Sequence, residues 1–166
     1  EGIDVVDALA DERALVEQVL VDVGDRARVG VDPRLAAEEL GIPYEWVWMA
    51  DCDTTISPLD LGSYSSRVTL MGGNAVRMAA ASVKAQLFEA AGRRLGCDAH
   101  SLVASRGRIF VARSPSVGLD WAEAARLAFS KHGPVVGTGC YQPPKDLGGE
   151  FKGGTVGTSP AYSFST

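Results

Sequence analysis

The feature that most limits what this chain can fold into is the segment 72–95, "GGNAVRMAAASVKAQLFEAAGRRL", followed by Gly96. Val76, Ala80, Val83, Leu87, Ala91 and Leu95 recur every three to four residues, the period of a helix with one apolar face. A glycine just past the last apolar position suits a left-handed helix stop. The spacing therefore predicts one long helix over about 72–95, with Val83 on its apolar stripe and Lys84 facing outward as an ordinary surface residue. Its first half carries Gly72, Gly73, Ala75, Ala79, Ala80 and Ala81, so other backbone or a flat ligand can approach closely.

Weaker signals fill in the elements around that helix. "DPRLAAEELG" predicts a short helix, with Asp32 as cap, Pro33 at the first helical position and Gly41 past the end. "DVVDALADERALVEQVLVDVG" reads either as an amphipathic helix or as a helix giving way to the strand "VLVDV". "YEWVWMA" alternates Trp46 and Trp48 against Val47 and Met49 and predicts a strand. "SLVAS" and "RIFVA" predict a hairpin around "RG". "LDWAEAARLAFSKHG" predicts a helix ending at Gly133, and "PVVGTGCY" a strand. The stretch 143–160 is rich in Gly and Pro and predicts an extended loop. Together these elements give an α/β (α+β) fold of two layers: a small mixed sheet covered by the helix 72–95 and a shorter helix near 120–131.

At 166 residues, with 46% hydrophobic and 22% charged side chains, the chain can bury one real core and reads as a single domain over 1–166. Sixteen basic residues against 21 acidic ones leave a net charge of −5, with no basic stripe to follow a phosphate backbone, so nucleic acid is not an expected partner. Cys52, Cys97 and Cys140 form no C-x-x-C pair and suit a reducing cytoplasm. The most apolar run, "AVRMAAASVKAQLF", is cut by Arg77 and Lys84, too short for a membrane span. The chain starts at Glu1 and closes on "SPAYSFST", which has the period of a strand just begun, so the expectation is a piece of a longer polypeptide.

Most candidate ligand motifs fail on context. "GTGCYQ" at 137–142 lacks the third glycine and the following helix of a dinucleotide fingerprint. "GGEFKGGT" lacks the Lys-Ser or Lys-Thr pair of a phosphate loop. "DCDTTISPLD" puts Ile56 where a calcium loop needs glycine and Gly62 where it needs glutamate. His100 and His132 each stand alone in sequence, and no residue is assigned as acid, base, nucleophile or metal ligand. "DLGSYSSRVTLMGGNAV" differs because a glycine-serine loop runs straight into the long helix. Gly62, Ser63, Ser65 and Ser66 with Arg67, and the N–H groups of Gly72 and Gly73, then offer donors and the positive helix end to an anion. A plain capped turn uses the same residues.

"AAEELGIP", "DCDTTISPLDLGSYSSRVTLMGGNAV" and "AYSF" resemble the molybdopterin-binding large subunit of the xanthine dehydrogenase and aldehyde oxidase family, most closely its 4-hydroxybenzoyl-CoA reductase and nicotinate dehydrogenase-like branch. The resemblance covers roughly residues 35–166. It implies that Gly62, Ser63, Tyr64, Ser65 and Ser66 line the pterin and dithiolene side of a molybdopterin cofactor, with or without a nucleotide extension. Ser65 would then lie next to the molybdenum centre through its backbone. It also implies oxidation or reduction of an aromatic, purine, aldehyde or acyl-CoA substrate by the complete subunit, working with iron–sulfur and FAD subunits or domains. Two departures stand out. The stretch "VDVGDRARVGVDPRLAAEELG" lacks the glutamine of the family's Gln-Gly cofactor loop, and the family's catalytic glutamate falls beyond "SFST", so Glu150 is not given that role. The fragment is expected to lack the cofactor and to be inactive alone. A non-catalytic remnant or interaction module is the alternative.

Overall fold

The computed structural model describes residues 19–22, 32–48 and 68–142. The readings on 1–18, on the loop 62–67, on the Gly/Pro-rich stretch 143–160 and on "AYSF" lie outside the described residues. In chain order the elements are β1 (Val19–Asp22), α1 (Arg34–Leu40), α2 (Asn74–Leu95), β2 (Leu102–Ser105), β3 (Arg108–Val111), β4 (Ser114–Asp120), α3 (Trp121–His132) and β5 (Val135–Thr138). They form an α/β two-layer arrangement in which β1 pairs with β5 in parallel while β2, β3 and β4 form an antiparallel meander. Parallel and antiparallel strands thus both occur, in two separate sheets, and α2 packs against both.

Local chemistry explains the short helix. The Asp32 carboxylate accepts hydrogen bonds from the Arg34 backbone N–H at 2.9 Å and from Arg34 Nε at 2.7 Å, satisfying an otherwise orphaned donor of the first turn. At the other end Gly41 takes φ 70°, so that Gly41 N–H reaches the Glu38 carbonyl and Ile42 N–H the Ala37 carbonyl. That pairing closes the helix in the manner of a Schellman stop. The hairpin turn is likewise legible: Arg106 at φ 52° and Gly107 at φ 76° supply the two positive angles of a tight turn between β2 and β3.

The long helix buries the stripe expected of it. Val83, Leu87, Ala80 and Ala91 are fully enclosed, and Trp121 and Ile109 complete the centre of the core from α3 and β3. Burial extends past one stripe to Ala75, Ala79, Ala90 and Gly92, because α1, α3 and both sheets each contact a different side.

Three readings change. Of "YEWVWMA", the described residues 44–48 are not a strand: Tyr44–Trp46 is a single 3-10 turn, closed by Trp46 N–H to the Pro43 carbonyl and Val47 N–H to the Tyr44 carbonyl. Val47 points toward the core clusters, whereas Trp48 is 82% exposed and Trp46 lies over the hairpin turn against Gly107. Val47 and Trp48 therefore do face opposite ways, but their faces are set by the 3-10 turn that follows Pro43. β4 is absent from the sequence reading: Val117 and Leu119 alternate with polar or small residues, but the run is short and interrupted by Pro115 and Gly118, and only Leu119 of the strand is buried. Lys84 is paired with Glu39 of α1 and half-buried, so it is not a plain surface lysine.

Candidate functional site

Four chain ends meet at one pole of the molecule. β5 runs against α2 in the opposite direction: a Cβ on Gly137 would strike the Ala79 carbonyl and Val83, and one on Gly139 the Ala75 carbonyl and the Ala79 nitrogen. β1 lies parallel to β5, with Asp22 opposite Thr138. α1 follows α2 in the same sense, Leu35 touching Gly73 and Glu39 pairing with Lys84 further along. The amino ends of α1 and α2 and the carboxyl ends of β1 and β5 therefore converge. A small cluster of Ala36, Ala75 and Val76 fills the junction, with Leu35, Val47, Val68 and Tyr141 packed on it. Ligands of open parallel α/β sheets characteristically bind outside the carboxyl ends of strands, near helix amino ends.

The start of the long helix is itself unusual. Thr69–Gly73 is a π-helical turn continuous with Val68 and with α2. The Asn74 N–H donates to the Met71 carbonyl three residues back, and the Leu70 carbonyl is taken by the Asn74 side-chain Nδ2 at 2.7 Å. This corrects the reading of Gly72 and Gly73 as open donors at the helix start. Both are buried inside a helical run that already includes Val68, with Gly73 at φ −60° against Leu35. Asn74→Ala, which leaves the Leu70 carbonyl to water or to nothing, is expected to cost about 1 kcal/mol in urea unfolding. An unchanged midpoint would mean that the turn holds itself.

Beside this turn, between α1 and α2, is an open groove of about 360 Å³ lined by Leu35, Glu38, Glu39, Thr69, Gly73, Asn74, Arg77 and Lys84. Its charges balance, two carboxylates against two cations, and Glu39 and Lys84 neutralise each other directly. The groove alone is thus no anion cradle. At the tip of α1 the Arg34 guanidinium beside Asp32 holds that carboxyl below the usual carboxylate range. Both side chains face solvent.

Of the expected cofactor residues, Gly62, Ser63, Tyr64, Ser65, Ser66 and Arg67 all lie outside the described residues. The chain arrives from them directly at Val68, at this pole. "GTGCYQ", discounted as a dinucleotide fingerprint, owes its glycines to packing: Gly137 and Gly139 lie against α2 backbone. The small-residue face of α2 therefore receives backbone and not a flat ligand along Ala75 and Ala79. Sequence reasoning missed Asn74 and Tyr141; a Gly-x-Gly on a strand opposite an Ala-rich helix was the available signal for the close packing. Among the described residues no group of three or more His, Cys, Asp or Glu is placed to hold a metal ion. None of the described helices is long and apolar enough to cross a membrane.

Parallel strand ends and helix amino ends at one pole are where α/β folds take ligands, and comparison with known proteins gives the family. Residues 9–166 match the molybdopterin cofactor-binding domain, and the chain belongs to that family. It is 32% identical over 104 residues to the carbon monoxide dehydrogenase large chain of Hydrogenophaga pseudoflava, covering 63% of this chain and 13% of that one. Among solved structures it is similar to quinoline 2-oxidoreductase from Pseudomonas putida 86, with a TM-score of 0.57 and 25% identity over 67% of this chain and 15% of that one. It is also similar to the Cu,Mo-CO dehydrogenase, with a TM-score of 0.57 and 28% identity over 68% and 15%. The chain thus corresponds to about one seventh of the length of these proteins.

Proposed function

We propose that this chain is the part of a molybdenum hydroxylase large subunit in which the loop 62–67 grips the molybdopterin cofactor. The family match over 9–166 supports the cofactor class. The observation that carries the placement is the convergence at one pole of the amino end of the long helix with the carboxyl ends of β1 and β5, where Val68 joins the loop. The described residues fit the group in polarity: helix amino ends favour its anionic side, and Arg77 is exposed nearby. Gly62, Ser63, Tyr64, Ser65 and Ser66 would hold the pterin and dithiolene side, and Arg67 would face its negative charge. When bound, the cofactor supplies the redox chemistry; the chain's part is to bind and orient it.

On this reading the partners are the remainder of the large subunit together with iron–sulfur and FAD subunits or domains, in the cytoplasm. The substrate is an aromatic, purine, aldehyde or acyl-CoA compound, set by residues elsewhere in the subunit. The 166-residue chain alone is expected to hold far less than one molybdenum per chain. In the full-length subunit, Gly62→Val with Ser65→Val is expected to lower molybdenum and pterin content at least about tenfold, as loss of ligand contacts worth 1.4 kcal/mol or more requires. Full metal and pterin content in that variant would sink the loop assignment. The absence of a glutamine between positions 21 and 41 favours a second reading, a remnant that keeps the fold without the cofactor. A wild-type full-length subunit free of pterin would select it.

A further inference from the structure

The irregular start of the long helix lies at the pole where strand ends and helix amino ends meet. Val68 already has helical angles, Thr69–Gly73 is a π-helical turn, and α2 follows without a break. A single π turn inside an α-helix carries one residue more than regular winding needs, and such turns occur frequently at functional sites. In regular winding the Leu70 carbonyl would accept the Asn74 N–H. Here that N–H goes to Met71, and the Leu70 carbonyl is held instead by the Asn74 side chain, Nδ2 to oxygen at 2.7 Å. The turn is pinned on both sides. Gly73 is buried against Leu35 of α1, where a Cβ would come within 3.1 Å of Leu35 Cδ1, and Val68 packs on the cluster of Ala36, Ala75 and Val76.

The extra residue has a geometric consequence. Each residue of an α-helix adds about 100° of rotation and about 1.5 Å of rise. Without the π turn, Val68 would be rotated by about that angle relative to α2, off the cluster at Ala75 and Val76, and the chain would enter the helix from a different side. We propose that Asn74 is a positioning residue for the molybdopterin cofactor: by holding the π turn it fixes the direction in which the chain enters the long helix at the pole. This role rests on the cofactor reading given above and needs no contact between Asn74 and the cofactor.

The test uses the full-length subunit, with molybdenum and pterin content and a thermal melt measured on the same preparations. Deletion of Met71 restores regular winding, leaves Gly72 and Gly73 in place and puts Leu70, of similar volume, where Met71 stood. That variant is expected to melt in one cooperative transition and yet to hold at least about tenfold less molybdenum and pterin than wild type, the factor that corresponds to roughly 1.4 kcal/mol. Asn74→Asp, of the same shape but with no hydrogen to donate to Leu70 when ionised, is expected to lose cofactor in the same way. Asn74→Ser, whose hydroxyl can donate to the carbonyl four residues back, is expected to keep it. The proposal is overturned if the Met71 deletion or Asn74→Asp keeps full cofactor, or if Asn74→Ser loses it as Asn74→Asp does. A Met71 deletion without a cooperative melt would assign the turn to the fold and overturn it too. A wild-type subunit free of pterin would remove the cofactor reading itself, whereas any of the other results beside a loaded wild type overturns the role of Asn74 alone.

Discussion

Val83→Asp is expected to unfold the domain, or to leave it so weakly folded that no cooperative melt survives near room temperature. Val83 is 0% exposed and sits in the middle of α2, touching the core shared with Leu87, Ile109 and Trp121. The substitution removes roughly 1.5–3 kcal/mol of apolar burial. It also places a carboxylate among Ala80, Leu87 and Val135, where no described cation reaches it. An unpaired buried charge costs several kcal/mol more, even after its pKa rises to neutralise it. The sum approaches the whole 5–15 kcal/mol stability of an ordinary domain. Its neighbour gives the contrast: Lys84→Ala breaks the ion pair with Glu39 that joins α2 to α1, with both side chains about a quarter to a third exposed. A loss of up to about 1 kcal/mol is expected there, where the sequence alone suggested none. Similar melting temperatures for the two variants would show that the helix face has been misassigned.

Gly139→Val is expected to be the second most damaging change, with a loss of about 3 kcal/mol or more in urea unfolding, although it adds apolar volume. The cause is space and not backbone angle, since Gly139 is not among the glycines with positive φ. Any Cβ at this position runs into the Ala75 carbonyl oxygen and comes within 2.7 Å of the Ala79 nitrogen, both of them helix backbone that cannot swing aside as a side chain would. Strand and helix must separate, which opens the junction filled by Ala75, Val76 and Tyr141. Thr138→Ala, one residue earlier on the exposed face, is the control and should stay within about 0.5 kcal/mol. Equal effects at 138 and 139 would mean that β5 does not lie on α2 at this closeness.

The same two sites show how much the sequence could say. Val83 was readable because a helix carries its burial pattern in its own spacing, whatever packs on it. The caps of α1 and the Arg106–Gly107 turn were readable for a related reason: their hydrogen bonds and angles close within a few residues. β4 was not readable, since its alternation is only two apolar side chains long, Val117 and Leu119, beside a proline and a glycine, and its pairing with β3 is what makes it a strand. The stretch around Trp46 reads as a strand because period two describes a turn-bound segment as well as a strand, and only the partner tells them apart.

For the candidate site the division is similar. The residues 62–67 were singled out from their composition and from their family resemblance, and the family itself was legible in "DTTISPLDLGSYSSR" with "GNA". By itself the sequence determined the long helix, its stops and the cofactor class, because each is written in residues near one another in the chain. Tertiary structure alone decided that Gly137 and Gly139 serve backbone contact, that Asn74 completes a π-helical turn, and that two helix amino ends and two strand carboxyl ends face the same pole. The Asn74 contact is local, but the others depend on which segments meet across tens of residues, and no local pattern records the direction in which one element crosses another.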